Sequence, residues 1–423
     1  TLFRGVWRGE YSRHLQVAGW LLLVMPLITV ITVFLIAPDL FSGRFSGREF
    51  TLYERLLTQG RVLWEYLGWI FFPDLRSLGF HHDDLMVSVS LVSPLTTLLA
   101  LVAWAGAIVI GFMQRDSLPM LWFALLFYLV AHSMESSFLP LEMAYEHRNY
   151  LPSMAAFLLL AVALQRVLVR LPRLRAGVLY SGILAILLTL LAVRSSIWSD
   201  EMQLARHNVV SHPASPRANF FYANALFKRL LDAPDLNLDE GERGLLAVTA
   251  RDYFQRMHDL DKRDIAALVV LYQLDTVFFA ELPGRPDWLG ALYALSLDRS
   301  IQASDRTALS ALVDFSATPV GAPERHRVAL ILDRLLQRYP RDGGLLVLRF
   351  RQSQSEGLLN DSASAAYLAE AATRSPSNTL IYPYMVKHGL EHDRPSPLEA
   401  VAAWMNNDPK RRELTAIRGI FEP

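Results

Sequence analysis

The stretch HSMESSFLPLEMAYEHRNYLPS, residues 132–153, lies between two apolar runs and contains three Glu, two His and one Arg. The runs on either side, residues 117–134 and 149–165, are each close to the length that a helix needs to cross a bilayer. Charged groups at a membrane boundary are costly unless they are paired or hydrated, so such a cluster indicates a functional site. These residues therefore predict an outer loop that apolar helices hold in place.

The composition points to membrane spans and excludes several classes of chemistry. The chain has 423 residues, of which 52% are apolar, and its mean hydropathy is +0.24, which is high for a soluble protein. The formal net charge is zero, and neither a phosphate-binding glycine loop nor a basic stripe occurs, so nucleic acid is not a predicted partner. The absence of cysteine excludes disulfides, thiolate metal ligands and thiol nucleophiles.

Five segments are apolar enough to be predicted membrane spans: residues 17–37, 91–113, 117–134, 149–165 and 176–193. Buried helices of a large soluble protein are the alternative, but they fit poorly with five such runs joined by short charged connectors. We therefore expect an all-α protein in which residues 1–193 form a polytopic transmembrane helix bundle of about five spans. The chain begins at Thr1 without a signal-peptide pattern, so we expect further residues before it.

Basic residues cluster in three of the connectors between these segments: Arg4, Arg8 and Arg13; Arg115; and Arg166, Arg170, Arg173 and Arg175. Positive charge is enriched on the cytoplasmic side of membrane proteins, and alternation of the spans places all three connectors on that side. Residues 38–90 and 135–148 are then outer loops, and residues 194–423 are outside as well. This pattern predicts a multi-pass protein of a bacterial inner membrane with a periplasmic C-terminal domain.

The first outer loop has two informative segments. Residues 61–72 contain five aromatic side chains with Glu65 as the only acid, which is typical of a helix lying in the membrane interface, and Pro73 is expected to end it. The segment GFHHDD that follows contains, side by side, His81, His82, Asp83 and Asp84. A polar turn, a substrate-contacting loop and a metal site all remain open, although adjacent side chains rarely face one ion and no HExxH spacing occurs.

The second outer loop carries the densest charge. Pro152 disfavours helical geometry for the residue before it, so the next span is expected to start near Ser153. If residues 141–150 are helical, Glu142 and Glu146 lie one turn apart on the same face.

Three further side chains of this loop suit a phosphate-bearing lipid. Arg148 can bind a phosphate through two nitrogens, His147 can titrate near neutral pH, and Tyr150 can pack against a lipid headgroup. The alternative is an internal ion-pair network that seals the loop, for example between Glu146 and Arg148.

Three short segments, ERLLTQ at 54–59, WEYLGWIFFP at 64–73 and EHRNYLPS at 146–153, together with a helical tail, resemble TMTC-type proteins. Members of that family are multi-span membrane proteins with tetratricopeptide repeats, and the eukaryotic ones are O-mannosyltransferases of the GT-C fold that use a polyprenyl-phosphate sugar. GT-C proteins have around ten or more spans and carry their catalytic acid in the first outer loop. The resemblance therefore implies that this acid lies outside the present sequence, and neither Asp83 nor Asp84 is assigned that role.

The resemblance implies that a lipid-linked sugar is the donor and that its phosphate meets Arg148 and His147, while Glu142 or Glu146 orients the acceptor or holds Arg148. The candidates for binding lipid phosphate or substrate are Arg148, His147, Glu146, Glu142, Tyr150, His81, His82 and Asp83. No catalytic residue, metal ligand or resident cofactor is assigned, and a divalent metal ion at the donor phosphate stays open.

The tail, residues 194–423, is predicted to be a soluble helical domain. Helical spacing of apolar residues is clearest at residues 219–231, 244–258, 264–280, 325–338 and 362–373. Pro340 and Pro376 are 36 positions apart, close to the 34-residue period of tetratricopeptide (TPR) repeats, although the full consensus is absent. We expect a TPR-like solenoid that binds polypeptide, with an irregular α-domain as the alternative.

These features together predict the C-terminal part of a membrane glycosyltransferase that moves a sugar from a polyprenyl-phosphate to a protein or envelope acceptor, which the repeats present. One alternative is a membrane-anchored TPR scaffold without enzymatic activity that assembles envelope proteins. A second is a transporter in which His132 and Glu135 relay protons, which predicts interrupted helices at matched positions of two halves.

Overall fold

A computed structural model of the chain describes residues 45, 48, 50–74, 78–170, 173–232, 236–281, 283–296, 301–392 and 396–421. Within these residues the regular secondary structure is helical, with seventeen α-helices, two 3₁₀ helices and no strand. The chain divides into two compact units, Thr1–Trp198 and Ser199–Pro423. The all-α prediction is therefore confirmed, and the predicted first span, residues 17–37, lies outside the described residues.

The first unit contains five of the α-helices and one 3₁₀ helix. They are α1 (Leu52–Phe71), α2 (Leu95–Met113), α3 (Pro119–His132), the 3₁₀ helix Glu146–Asn149, α4 (Ser153–Val169) and α5 (Arg173–Trp198).

Two described helices are long and apolar enough to cross a membrane: α2, and the part of α5 from Arg175 to Trp198. The helices α3 and α4 are apolar but have only 14 and 17 residues, which at 1.5 Å per residue gives roughly 21 and 26 Å. Proline limits both of them at the N-terminus, because Pro119 starts α3 and Pro152 immediately precedes α4. The prediction of five spans is not confirmed. The predicted start of α4 at Ser153 is confirmed.

The first helix is longer than the predicted interfacial segment. It begins after Thr51, which forms a capping box with Glu54, and it ends at Phe71, two residues before Pro73 as predicted. Four of its buried residues recur every three or four positions and so form one stripe: Arg55, Gln59, Val62 and Tyr66. This stripe faces the second outer loop.

The condition under which Glu142 and Glu146 would share a face is not met, because within residues 141–150 only Glu146–Asn149 is helical and that turn is a 3₁₀ helix. Glu142 lies before it, so Glu142 and Glu146 do not share a helical face. The physical reason is that the carbonyls of Leu141 and Glu142 accept hydrogen bonds from Arg55 instead of from a following turn.

The second unit contains the remaining twelve described α-helices. They are α6 (Glu201–Ser211), α7 (Pro216–Leu231), α8 (Glu240–Leu260), α9 (Ile265–Val277), α10 (Trp288–Leu295), α11 (Ala303–Ala317), α12 (Arg325–Arg338), α13 (Gly343–Ser355), α14 (Asp361–Arg374), α15 (Ile381–His392), α16 (Pro397–Asn407) and α17 (Leu414–Phe421).

Packing in the second unit is sequential. The extensive contacts all join helices that are one or two places apart in chain order, as α7 with α8, α9 with α11 and α14 with α15. Two buried clusters follow, one built from α7 to α13 and one from α13 to α17. The five segments with helical spacing all fall within helices α7, α8, α9, α12 and α14, apart from a few residues beyond each end of α9.

Candidate functional site

A buried arginine of α1 fixes the backbone of the second outer loop. Arg55 is fully buried, and its Nη2 donates to the carbonyl of Glu135 at 2.7 Å while its Nε donates to that of Ser137 at 3.0 Å. Its Nη1 donates to the carbonyls of Leu141 and Glu142. Burial, followed by the nearby cations Arg148 and Arg48, lowers the pKa of Arg55 to about 10, so it remains charged at neutral pH.

Two more residues of the same stripe continue this attachment along the loop. Gln59 donates from Nε2 to the carbonyl of Met143 at 2.7 Å, and the Tyr66 hydroxyl accepts from the backbone N–H of Tyr145 at 3.0 Å. Burial raises the pKa of Tyr66, so its hydroxyl stays protonated. Three side chains of α1 thus form hydrogen bonds with the backbone of residues 135–145.

Arg148, the predicted phosphate ligand, points into this loop. Its Nη1 donates to the carbonyls of Glu142 at 2.6 Å and Met143 at 3.3 Å, and its Nε lies 3.2 Å from Glu135 Oε2. The residue is only 7% exposed, and the guanidinium lies 5.2 Å from the ring centre of Tyr145. An anion at Arg148 would compete with Glu135. The pair of Glu146 with Arg148, given above as an example of a sealing network, is not the one that forms.

The other two acids of the loop pair with arginines from distant parts of the sequence. Glu142 Oε1 lies 2.5 Å from Arg48 Nη1. Glu146 accepts from Arg194 Nη2 at 2.9 Å through Oε1 and at 2.8 Å through Oε2. Since Arg194 also donates to the carbonyl of Leu78, the last turns of α5 join both outer loops.

The two outer loops meet at His82. Its Nε2 lies 3.8 Å from Glu146 Oε1, and its ring lies 4.7 Å from that of Trp69, centre to centre. His82 is 5% exposed, whereas the next two residues, Asp83 and Asp84, are exposed. The structure therefore brings His82 and Glu146 together and turns Asp83 in another direction.

His81 lies apart from this junction, with its ring at the edge of Phe80 at 4.9 Å. In the described part of the chain, no three His, Asp or Glu side chains are grouped in a way that could hold a metal ion.

Two of the predicted residues face outward and are open to a ligand. His147 is exposed and its ring stacks on Tyr145 at 5.1 Å, and Tyr150 is 82% exposed. They lie directly before α4, at the start of an apolar helix. A headgroup placed there could contact His147 and Tyr150 without disturbing the buried pairs.

A series of neighbouring aromatic rings runs from the loop junction into the helices. Consecutive ring centres lie 4.7 to 6.0 Å apart in the order His82, Trp69, Tyr66, His132, Tyr128 and Trp104. His132 is 1% exposed and sits in the middle of this series. The rings of this series form one continuous, rigid support beneath the site.

Four residues of the site were missed by sequence analysis: Arg55, Gln59, Glu65 and Arg194. Arg55 and Gln59 are polar residues four apart within an otherwise largely apolar buried stripe, and this spacing is the signal that could have identified them. Burial raises the pKa of Glu65, while Arg61 and His82 act in the opposite direction. Arg194 carries no local signal, because its partner is 48 positions away.

No protein-family model matches this chain, and no curated protein matches its sequence.

Proposed function

We propose that this chain is the C-terminal part of a GT-C-type glycosyltransferase of a bacterial inner membrane, multi-pass, with residues 194–423 in the periplasm. The observation that carries the proposal is that two outer loops, separate in sequence, are held as one polar face by Arg55, Arg194 and His82. This face adjoins apolar helices, two of which are long enough to span a bilayer. Such a position suits a donor whose lipid stays in the membrane while its phosphate projects from it.

The chemistry of the loop supports a phosphate at its outer surface. The exposed His147 and Tyr150 provide a hydrogen-bond donor and an aromatic surface. Arg148 would join them when the donor phosphate replaces Glu135, which gives a charge-assisted pair with the leaving group. In the transfer the bond between the sugar and the phosphate breaks, and the acceptor oxygen forms the new bond to the sugar. In this proposal the acceptor hydroxyl gives its proton to a base that, as the resemblance implies, is not among the residues of this chain.

The second unit supports the part of the proposal that concerns the acceptor. Sequential packing of helices is typical of repeat proteins, in which each unit contacts its neighbours and the array offers an extended surface. We therefore propose a TPR-like array that presents a polypeptide acceptor.

Donor binding can be measured directly with the whole chain in lipid nanodiscs, using undecaprenyl-phosphate mannose as the probe. The variants His147→Ala and Tyr150→Ala should each weaken binding about fivefold to tenfold, while Arg115→Ala, an exposed arginine of another connector, should not. Equal affinity of the wild type and both loop variants would rule out this phosphate site.

One observation favours the scaffold as a second candidate. Each acid of the second outer loop already has an arginine partner, namely Arg148 for Glu135, Arg48 for Glu142 and Arg194 for Glu146. The cluster is therefore stable without a ligand. A chain that binds envelope proteins but no lipid-linked sugar in the nanodisc assay would support the scaffold.

A further inference from the structure

The second unit contains a cavity of about 420 Å³ between α12, α13 and α14. Its floor is apolar and includes Leu336, Leu346, Leu359 and Ala371. Leu346 and Ala371 belong to the buried cluster of α13 to α17, so the floor is rigid. The volume exceeds that of one leucine or phenylalanine side chain and leaves space for part of a backbone.

The charged residues around the cavity neutralise one another. Arg349 forms a two-point pair with Asp333, at 2.6 and 3.1 Å, and it also donates to Gln352 and Ser353. Arg374 donates to Glu370 at 2.5 Å. Because each cation already has its own anion, the cavity offers no net charge that would select an ionic ligand.

Tyr367 adds a polar group with no internal partner. Its ring packs at 5.9 Å from that of Phe350, which fixes its position in the wall. None of the described residues forms a hydrogen bond with its hydroxyl. Burial raises the pKa of Tyr367 to about 12, so the hydroxyl keeps its proton and can donate.

We propose that the cavity holds one large apolar side chain of an extended polypeptide, whose backbone carbonyl accepts a hydrogen bond from Tyr367. The inference rests on the proposed function, since it names the contact by which the second unit holds its acceptor. A peptide matches both parts of the cavity, because its side chain covers the leucine floor and its carbonyl meets the hydroxyl. An alkyl chain would leave the hydroxyl without a partner, and a sugar would place hydroxyls against the leucine floor.

Fluorescently labelled pentapeptides with a central glycine, alanine, leucine or phenylalanine between serine and glycine residues provide the probe. Their binding to the whole chain in nanodiscs is followed by anisotropy. The leucine and phenylalanine peptides should bind at least about tenfold more tightly than the glycine peptide, because they alone bury a large side chain. Equal affinity for all four peptides would overturn the proposal.

Two variants test the location. Ala371→Leu fills the floor of the cavity and should abolish the preference for the leucine peptide. Tyr367→Phe, which keeps the shape of the cavity, should weaken binding of the leucine peptide about fivefold. Tyr293→Phe on α10, outside the cavity, is the matched control and should bind as the wild type does. Wild-type affinity for the leucine peptide in a folded Ala371→Leu variant, or in Tyr367→Phe, would overturn the proposal.

The donor measurement distinguishes this inference from the proposed function. Undecaprenyl-phosphate mannose should bind the Ala371→Leu variant as it binds the wild type. Failure of the peptides with donor binding retained would overturn the cavity proposal alone, whereas absence of donor binding would overturn the glycosyltransferase.

Discussion

Arg194 binds both carboxylate oxygens of Glu146, at 2.9 and 2.8 Å, and so attaches the end of α5 to the second outer loop. Both side chains are largely shielded from water, with 17% and 27% exposed, and charge-assisted hydrogen bonds are stronger than neutral ones. We expect a double-mutant cycle of Arg194→Ala and Glu146→Ala to give a coupling free energy above about 1 kcal/mol in reversible unfolding. The exposed pair of Lys228 and Glu201 is the control and should give about 0.5 kcal/mol or less. Equal coupling in both pairs would contradict this.

The loop should depend strongly on Arg55. Replacing it with Met leaves the part-buried carbonyls of Glu135, Ser137 and Leu141 without their donor, whereas that of Glu142 keeps Arg148. Each group left without a donor costs about 1–3 kcal/mol. Arg55→Met should therefore lower the free energy of unfolding by at least about 3 kcal/mol. Arg55→Lys should recover only part of that loss, because an ammonium cannot reach acceptors spread around a planar guanidinium.

Hydrogen exchange offers a local measurement of the same effect. Amides of residues 135–145 should exchange faster in Arg55→Lys, while those of α8 in the second unit should not change. Arg115→Lys, whose side chain bonds only within its own connector, is the control. Unchanged protection of the loop would show that Arg55 does not hold it.

Features that arise from local interactions could be predicted from the sequence, whereas those that arise from contacts between distant residues could not. The start of α4 at Ser153 follows from Pro152, and the cap of α1 follows from Thr51 and Glu54, all of which are local. The contact of Arg55 with Glu135 joins residues 80 positions apart, and no local pattern encodes it. The non-helical conformation of residues 141–145 arises from such contacts, so it cannot be predicted from the local sequence.

For the charged cluster, the sequence indicated the loop but not the partners of its acids. Sequence reasoning could single out the loop as a charged cluster, because unpaired charge beside apolar runs is costly wherever it occurs. It could not assign the partners, since Arg48 and Arg194 come from segments far from the loop in sequence. The pairs that form fix the orientation of His82 and the exposure of His147, and these depend on packing.

Glu65 should make stability depend on pH. Burial raises its pKa in the folded state, so the folded chain retains a proton that the unfolded chain has lost above about pH 4.3. Stability therefore falls as the pH rises from that value through the folded-state pKa. Below this pH window, Glu65→Gln should have the same free energy of unfolding as the wild type. Across the window its free energy of unfolding should increase relative to the wild type, and at higher pH the difference should stay constant. Thermal unfolding between pH 4 and 8 checks this, with the exposed Glu281 of the second unit replaced by Gln as a control for charge alone.

The pairing of Arg148 with Glu135 gives a test that separates the two candidate functions. If the donor phosphate replaces Glu135 at Arg148, then Glu135→Gln removes the competing charge and should tighten donor binding about threefold to tenfold. Arg148→Lys should weaken binding, because a lysine cannot keep its carbonyl contacts and also meet the phosphate through two nitrogens. Glu201→Gln in the second unit controls for the change in net charge and should leave affinity unchanged. A scaffold in which the pair only seals the loop predicts a different pattern: Glu135→Gln would lower the free energy of unfolding, and neither this variant nor the wild type would bind the donor.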